Sequence, residues 1–386
     1  MKIAQVAPLY ESVPPHLYGG TERVVSYLTE ELAREGHQVT LFASGDSVTR
    51  ANLVAPCPRA LRLDERCVDQ LAAHILMLDE VASRADEFDV VHFHVDYMHF
   101  PLSKQLGLPH VTTLHGRLNI PDLERLYRRF SEMPVVSISD AQRAPLPHAN
   151  WQGTVYHGLP RDLYAFRPVQ GKYLVFLGRI SPEKRVDRAI RIAQHLGIPL
   201  KIAAKVDRVD REYFESIKPL LADPLVEFVG EISDAEKNDF VGNAMALLLP
   251  IDWPEPFGLV MIEAMACGSP VVAWREGSVP EVVDDGVTGF VVDSERSAMR
   301  AAEMIPVLDR RRCREIFEAR FTAERMAHDY LAIYREIIAA RRGQRTPRGR
   351  DRRGLRTPVL TISGRNGHRQ RGESPDRNVP AAEAPQ

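Results

Sequence analysis

The chain has 386 residues, 44% hydrophobic and 7% aromatic, which is enough to bury a large core and implies two domains. No apolar run approaches the roughly 18 to 20 residues that cross a bilayer, and the N-terminus lacks a basic segment followed by an apolar signal core; this excludes a membrane-spanning protein and predicts a cytoplasmic one. The formal charge of −2 conceals an asymmetry, because residues 341–386 contain twelve arginines and four acids, so that segment carries +8 and the remainder −10.

In chain order, residues Ile3 to Pro8 read as a buried strand, followed by a loop at Tyr18-Gly19-Gly20 and a helix from Thr21 to Glu35 stopped by Gly36. Strands are predicted at 38–43, 90–95, 110–114 and 135–138, with helices near 70–82 and 121–130 between them. The pattern pauses at 165–172 and restarts with strands at 173–177, 200–204, 226–229, 246–249 and 271–273 and a helix from about Val186. Such alternation means parallel sheets covered by helices, α/β in class, in two similar halves whose strand ends should flank a ligand cleft. The expected divisions are 1–168, 169–320, a closing helix at 321–340 with an apolar stripe through Met326, Tyr330, Ile333, Tyr334 and Ile337, and a basic tail at 341–386. That tail, rich in Arg, Gly and Pro, is expected to be disordered, either simply solvated or in contact with a polyanion such as RNA or an anionic membrane surface. The four cysteines are scattered without a CxxC pair, which argues against both a disulfide framework and a zinc site.

The segment PIDWPEPFGLVMIEAMACG, residues 250–268, carries two carboxylates eight residues apart. Pro254 and Pro256 hold Glu255 on an extended loop, whereas Glu263 falls on a helix that begins after Gly258 and ends at Gly268. Between them the helix start exposes unpaired N–H groups suited to an anion. A nucleotide sugar, with phosphate in the middle and hydroxyls at both ends, has the matching layout. Glycosyl transfer from such a donor builds charge on the leaving diphosphate, and Arg179 and Lys184, in GRISPEK after the first strand of the second half, could neutralise it in place of a metal.

In the first half, His115 ends a strand and precedes Gly116; a pKa near neutrality would let it donate a hydrogen bond to a sugar hydroxyl, although a purely structural histidine fits the same position. His92 and His94 share a face at strand spacing and His99 is close by, but no acidic third ligand has suitable spacing, so no metal is expected and His94 is left a place on the cleft wall. Gly19 and Gly20 match neither GxGxxG nor GxxxxGK[ST]. They would let an acceptor or a distal phosphate approach the backbone, or form only a tight strand-to-helix turn. Tyr97, Met98 and Phe100 either pack on an acceptor or belong to the core, and contacts to the base are expected near 205–207 and 230–231. Because the cationic pair and His115 lie on different halves, closure about the cleft is expected.

With these residues in hand, the sequence resembles family four of the retaining glycosyltransferases over residues 1–340, through EPFGLVMIEAMACGSPVVA with its E-x7-E element, GRISPEKR, YGGTERVV, TLHG and VYHGLP in order. The resemblance implies a GT-B fold, two Rossmann-like domains facing a central cleft with a C-terminal helix closing the fold. It implies that Glu263 binds the ribose hydroxyls, that Glu255 and the backbone of Phe257, Gly258 and Leu259 hold donor sugar and phosphate, and that Arg179 and Lys184 hold the diphosphate. Gly20, beside Gly19, would approach the donor phosphate and His115 would face the transferred hexose. It further implies no cofactor and no metal, a sugar, lipid or small-molecule hydroxyl as acceptor, and front-face displacement without a carboxylate nucleophile. The basic tail leaves peripheral contact with the inner membrane face as an option, with no specific nucleic acid expected. A nonhydrolysing sugar epimerase, a phosphorylase needing pyridoxal phosphate, and a noncatalytic nucleotide-sugar binding protein are the competing uses of the same cleft.

Overall fold

The computed structural model of the protein describes residues 1–344. Two parallel sheets form its frame. The first has seven strands, β1 (Lys2–Val6), β2 (Gln38–Phe42), β3 (Asn52–Val54), β4 (Val90–Phe93), β5 (His110–Thr113), β6 (Pro134–Ser137) and β7 (Asn150–Thr154), in the order β3-β2-β1-β4-β5-β6-β7. The second has six, β8 (Leu174–Arg179), β9 (Leu200–Lys205), β10 (Val226–Gly230), β11 (Ala246–Leu249), β12 (Val271–Trp274) and β13 (Gly289–Val292), in the order β10-β9-β8-β11-β12-β13. In both, the order reverses beside the first strand of the sheet, which opens a crevice at the carboxyl ends of the neighbouring strands.

Central strands such as β4 and β11 are buried along their whole length because helices cover both faces, so they read as continuous apolar runs. The Gly20–Arg34 helix buries Val24, Val25, Leu28 and Leu32 on one stripe, the helical spacing visible in the sequence. Strands β3, β7 and β13 were not anticipated. Two of them, LV-bearing NLV and NWQGT, lie at opposite edges of the first sheet, where short or polar segments suffice. The strand β8 runs two residues beyond the expected end, because Gly178 and Arg179 continue the pairing onto Ala204 and Lys205.

The last helix, Ala323–Gln344, extends past the expected boundary: residues 341–344, assigned to a disordered tail, are helical. Arginines are good helix formers and propagate a helix already anchored by packing. The rest of the tail, 345–386, lies outside the described residues. The helix packs on the first half, where Tyr330 and Tyr334 are wholly buried against Ile3, Val24, Val90 and Val111. Among the described residues no helix is long and apolar enough to cross a membrane.

Candidate active site

A cleft of about 850 Å³ lies between the two sheets and is lined from both. Gly19, Gly20 and His115 face it from the first half; Arg179, Lys184, Glu255, Phe257, Gly258, Leu259 and Glu263 face it from the second. The structure therefore brings to one cleft all ten residues that the sequence assigned to donor binding and catalysis.

The loop after β11 carries Glu255 between Pro254 and Pro256, outside any helix or strand. Lys184, at the end of a short turn at Pro182–Lys184, meets the Glu255 carboxylate, and its ammonium sits 4.8 Å from the centroid of the Trp253 ring. The Glu255 loop is backed by Gly277 and Ser278: the Ser278 N–H donates to the Glu255 carbonyl at 2.9 Å, and the Ser278 hydroxyl donates to the Phe257 carbonyl at 2.8 Å. Gly277 has φ +56°, and a Cβ there would fall 2.3 Å from the Glu255 carbonyl oxygen. Gly277→Ala is therefore expected to cost about 1–3 kcal/mol in backbone strain alone and to displace Glu255. An unchanged thermal midpoint in scanning calorimetry would contradict this.

Gly258 precedes the Leu259–Cys267 helix with φ +78°, and this helix start has no side-chain cap and no acid in its first turn. Its free N–H groups therefore face the cleft unneutralised, as an anion site requires. One turn further, Glu263 is only 3% exposed. Its Oε1 accepts from Lys237 Nζ at 3.0 Å and from the Tyr164 hydroxyl at 3.4 Å. Its Oε2 is buried with no hydrogen-bond partner among the described residues, a costly state that a ligand hydroxyl would relieve.

Arg179, expected to meet a diphosphate, is engaged by carboxylates of its own chain. It is the last residue of β8, and its guanidinium meets Glu183, lies 3.4 Å from Asp210 and 3.7 Å from Asp207. The reason is topological: pairing of Arg179 with Lys205 brings the loop after β9, with its acids, to the same strand end. A diphosphate at Arg179 has to displace or share carboxylates already there.

Sequence reasoning missed Lys237, Tyr164, Arg23 and Asp234. Lys237 bridges Glu263 and Asp234, the latter at 3.1 Å, and Asp234 in turn meets Arg23 from the Gly20–Arg34 helix across the cleft. Other links join the halves: the Tyr18 N–H donates to Glu231 at 3.0 Å, the Ser139 hydroxyl donates to the Pro256 carbonyl at 2.6 Å, and the Asp140 and Ala141 N–H groups each donate to Glu281 at 2.7 Å. The only local signal for Lys237 was the S-D-A-E capping box at 233–236, which marks its helix but not its partner.

On the first half, β4 and β5 pair side by side, His94 and His115 follow their carboxyl ends, and His94 Nδ1 lies 2.9 Å from His115 Nε2. The His115 ring stacks on His157 at 5.3 Å, and His157 meets the Phe257 ring edge-on at 4.9 Å. Burial pushes His115 down to about 3 and holds His94 and His157 well below the usual histidine value. This corrects the expectation of a pKa near neutrality: the cleft is lined by neutral imidazoles. Both nitrogens of His92 are engaged by Tyr334 and Thr113, and both of His99 by Ser103 and Thr112. Phe100 is core, Met98 is half-buried against the cluster that holds Phe93 and Val95, and Tyr97 is 41% exposed; none of the three lines the cleft. Lys205 and Glu231 do line it, as does Glu22, which went unnoticed in the sequence and whose carboxyl burial pushes up to about 7.

Comparison with known proteins agrees with this architecture. The family model for glycosyl transferases group 1 matches residues 166–320, and that for glycosyltransferase family 4 matches residues 18–146. The chain is similar to N-acetyl-alpha-D-glucosaminyl L-malate synthase of Bacillus anthracis, 28% identical over 83% of this chain and 94% of that one. Among solved structures it resembles sucrose-phosphate synthase from Thermosynechococcus elongatus, with a TM-score of 0.72 and 20% identity over 88% of this chain and 99% of that one. It also resembles the Anabaena protein HepE in complex with UDP and glucose, with a TM-score of 0.68 and 19% identity over 87% of this chain and 100% of that one. Two Rossmann-like sheets facing a cleft, and matches of both halves to glycosyltransferase families, lead to one conclusion: the chain belongs to the group 1 family of GT-B glycosyltransferases.

Proposed function

We propose that the protein transfers a hexose, with retention and without a metal, from a nucleoside diphosphate sugar to a hydroxyl acceptor. The observation that carries this reading is the order of groups along one cleft wall: the unpartnered oxygen of Glu263, the uncapped helix start at Gly258 and Leu259, then Lys184 against Glu255. That order fits ribose, diphosphate and hexose in turn. Arg179, Lys184 and the helix N–H groups stabilise the departing diphosphate, with Gly19 and Gly20 leaving room for it on the opposite wall. The C1–O bond to the diphosphate breaks, the acceptor oxygen bonds to C1 on the same face, and the acceptor proton passes to the leaving phosphate oxygen. Glu255 positions the sugar and stabilises charge without forming a bond to it, and His115 contacts the transferred sugar. The structural neighbour HepE, solved with UDP and glucose and with UDP-glucose, makes UDP-glucose the first donor to try. The reading includes a cytoplasmic site of action, with peripheral contact at a membrane surface if the acceptor is a lipid.

The test is incubation with UDP-, GDP- and ADP-hexoses over a panel of acceptors with chelator present, scored for nucleoside diphosphate release and for the anomeric configuration of the product. An inverted product, or dependence on added metal, overturns the corresponding part of the proposal; binding without turnover across the panel favours a noncatalytic binding protein. Glu263→Ala is expected to weaken nucleotide binding by about 10- to 100-fold, the loss of a hydrogen-bonded charged acceptor. Isothermal titration with the nucleoside diphosphate measures it, and an unchanged Kd would remove Glu263 from the nucleoside end.

A further inference from the structure

Behind His115 runs a continuous chain of buried hydrogen bonds that ends on the C-terminal helix. His115 Nε2 lies 2.9 Å from His94 Nδ1, and His94 Nε2 lies 2.8 Å from Gln5 Oε1. The Gln5 amide N–H donates to the Tyr334 hydroxyl at 3.1 Å, and that hydroxyl lies 2.6 Å from His92 Nδ1. His92 Nε2 continues to Thr113 at 2.7 Å, and Thr113 to Tyr330 at 2.8 Å. Gln5, His92, Thr113, Tyr330 and Tyr334 are fully buried and His94 is 3% exposed, so no water competes for these positions.

Every member of the chain except Gln5 can reverse its role, since an imidazole or a hydroxyl both donates and accepts. An amide cannot: its oxygen only accepts and its nitrogen only donates. The bond lengths agree with the direction it imposes. Hydroxyl donors make shorter bonds than N–H donors, so 2.6 Å suits the Tyr334 hydroxyl donating to His92, and 3.1 Å suits the Gln5 N–H donating to Tyr334. With its oxygen towards His94, Gln5 requires the proton of neutral His94 on Nε2. His94 Nδ1 is then a lone pair, which requires the proton of neutral His115 on Nε2. The remaining nitrogen, His115 Nδ1, is buried, has no partner among the described residues, and belongs to a ring that lines the cleft.

We propose that Gln5, locked by Tyr334, is a positioning residue that holds His115 in its Nε2–H tautomer, so that Nδ1 presents a lone pair to a ligand hydroxyl. His115 is thereby an acceptor of a hydrogen bond and not the donor its sequence position suggested. The C-terminal helix, through Tyr334, reaches the reaction cleft by this route. The ligand side of the inference rests on the proposed transfer reaction, whereas the tautomer belongs to the free protein, so failure of the two is distinguishable.

The test is a long-range 1H–15N correlation spectrum of the ligand-free full chain labelled with 15N-histidine, with His115 assigned by the signals lost in His115→Asn. The expected result is a pyrrole-type Nε2 and a pyridine-type Nδ1 in one dominant tautomer. A pyrrole-type Nδ1 in the parent protein overturns the proposal and needs no variant to do so. Gln5→Leu removes the direction-setting oxygen and is expected to give a mixture of tautomers at His115, while Gln5→Glu, which keeps an oxygen towards His94, retains the parent pattern. A folded Gln5→Leu protein with the parent pattern would remove Gln5 from the role. In turnover, a donor whose contacting hydroxyl is replaced by fluorine, which supplies no proton, is expected to lose kcat/KM about tenfold or more, the scale of one hydrogen bond. A loss of the same size in His115→Ala for the fluorinated as for the parent donor would show that the lone pair plays no part.

Discussion

Lys184→Ala is expected to lower kcat/KM by about two to three orders of magnitude, the range for removing one fixed group aimed at developing charge in a water-poor site. The same change has a second effect that has to be separated from the first. Lys184 and Glu255 are 18% and 10% exposed at the side chain, so deleting the lysine leaves a largely buried carboxylate without its counter-ion. Breaking such a pair from one side costs about 3–5 kcal/mol of stability. The double variant Lys184→Ala with Glu255→Gln resolves the two effects, because the neutral amide no longer needs a cation. Its thermal midpoint should return most of the way to the parent value, while turnover stays well below that of Glu255→Gln alone. If turnover equalled that of Glu255→Gln alone, Lys184 would be a structural counter-ion and not a diphosphate ligand. Lys184→Arg is a sharper probe still: it keeps the charge but replaces a compact ammonium with a planar fork, and the 4.8 Å approach to Trp253 leaves that wall of the site already occupied.

What could be read from sequence was whatever local chemistry dictates. Prolines at 254 and 256 and the glycine at 258 are enough to place Glu255 on a loop and Glu263 on the helix after it, and the first strand of the second half is enough to bring Arg179 and Lys184 to a strand end. The partners of these groups were not legible, because they arrive from far along the chain. Lys237 stands 26 residues from Glu263, Tyr164 stands 99 residues from it, and Arg23 meets Asp234 across 211 residues. No residue type at any fixed spacing announces such contacts. The fully buried strand β4 was legible as an apolar run, yet its His92 finds Tyr334 across 242 residues, a contact made only when the last helix returns to the first half. The misjudged protonation of His115 has the same origin. A pKa near 6.5 is a property of exposed histidine, and what moves it here is burial among His94, His157 and Phe257, which tertiary packing supplies.

That burial makes acid sensitivity the second large expected effect. His92, His94, His99 and His157 are held well below their usual value by burial, and His115 is held at about 3. Above the unfolded value of about 6.5 neither folded nor unfolded chain binds these protons, and stability is flat with respect to them. Below it the unfolded chain takes up protons that the folded one refuses, so stability falls as pH falls, by about 1.4 kcal/mol per pH unit for each histidine. Glu22 runs the other way. Its carboxyl, raised by burial to about 7, is protonated in the folded chain and ionised in the unfolded one between 7 and the ordinary value of 4.5, so it adds stability as pH falls over that interval. Subtracting it in full from the five histidines still leaves a slope on the order of 5 kcal/mol per pH unit, comparable to much of a typical domain's total stability. Urea unfolding at pH 7.5, 6.0 and 5.0 should therefore show a smaller loss in the first interval, where the unfolded histidines begin to titrate, and a steeper loss in the second. Glu22→Gln, which deletes the opposing carboxyl while keeping the shape, should make the loss steeper. Equal stability at pH 5.0 and 7.5 would mean that the histidines are hydrated in the folded protein, and that the cleft floor is not the closed, neutral hydrogen-bonded layer that His115 requires for a fixed tautomer.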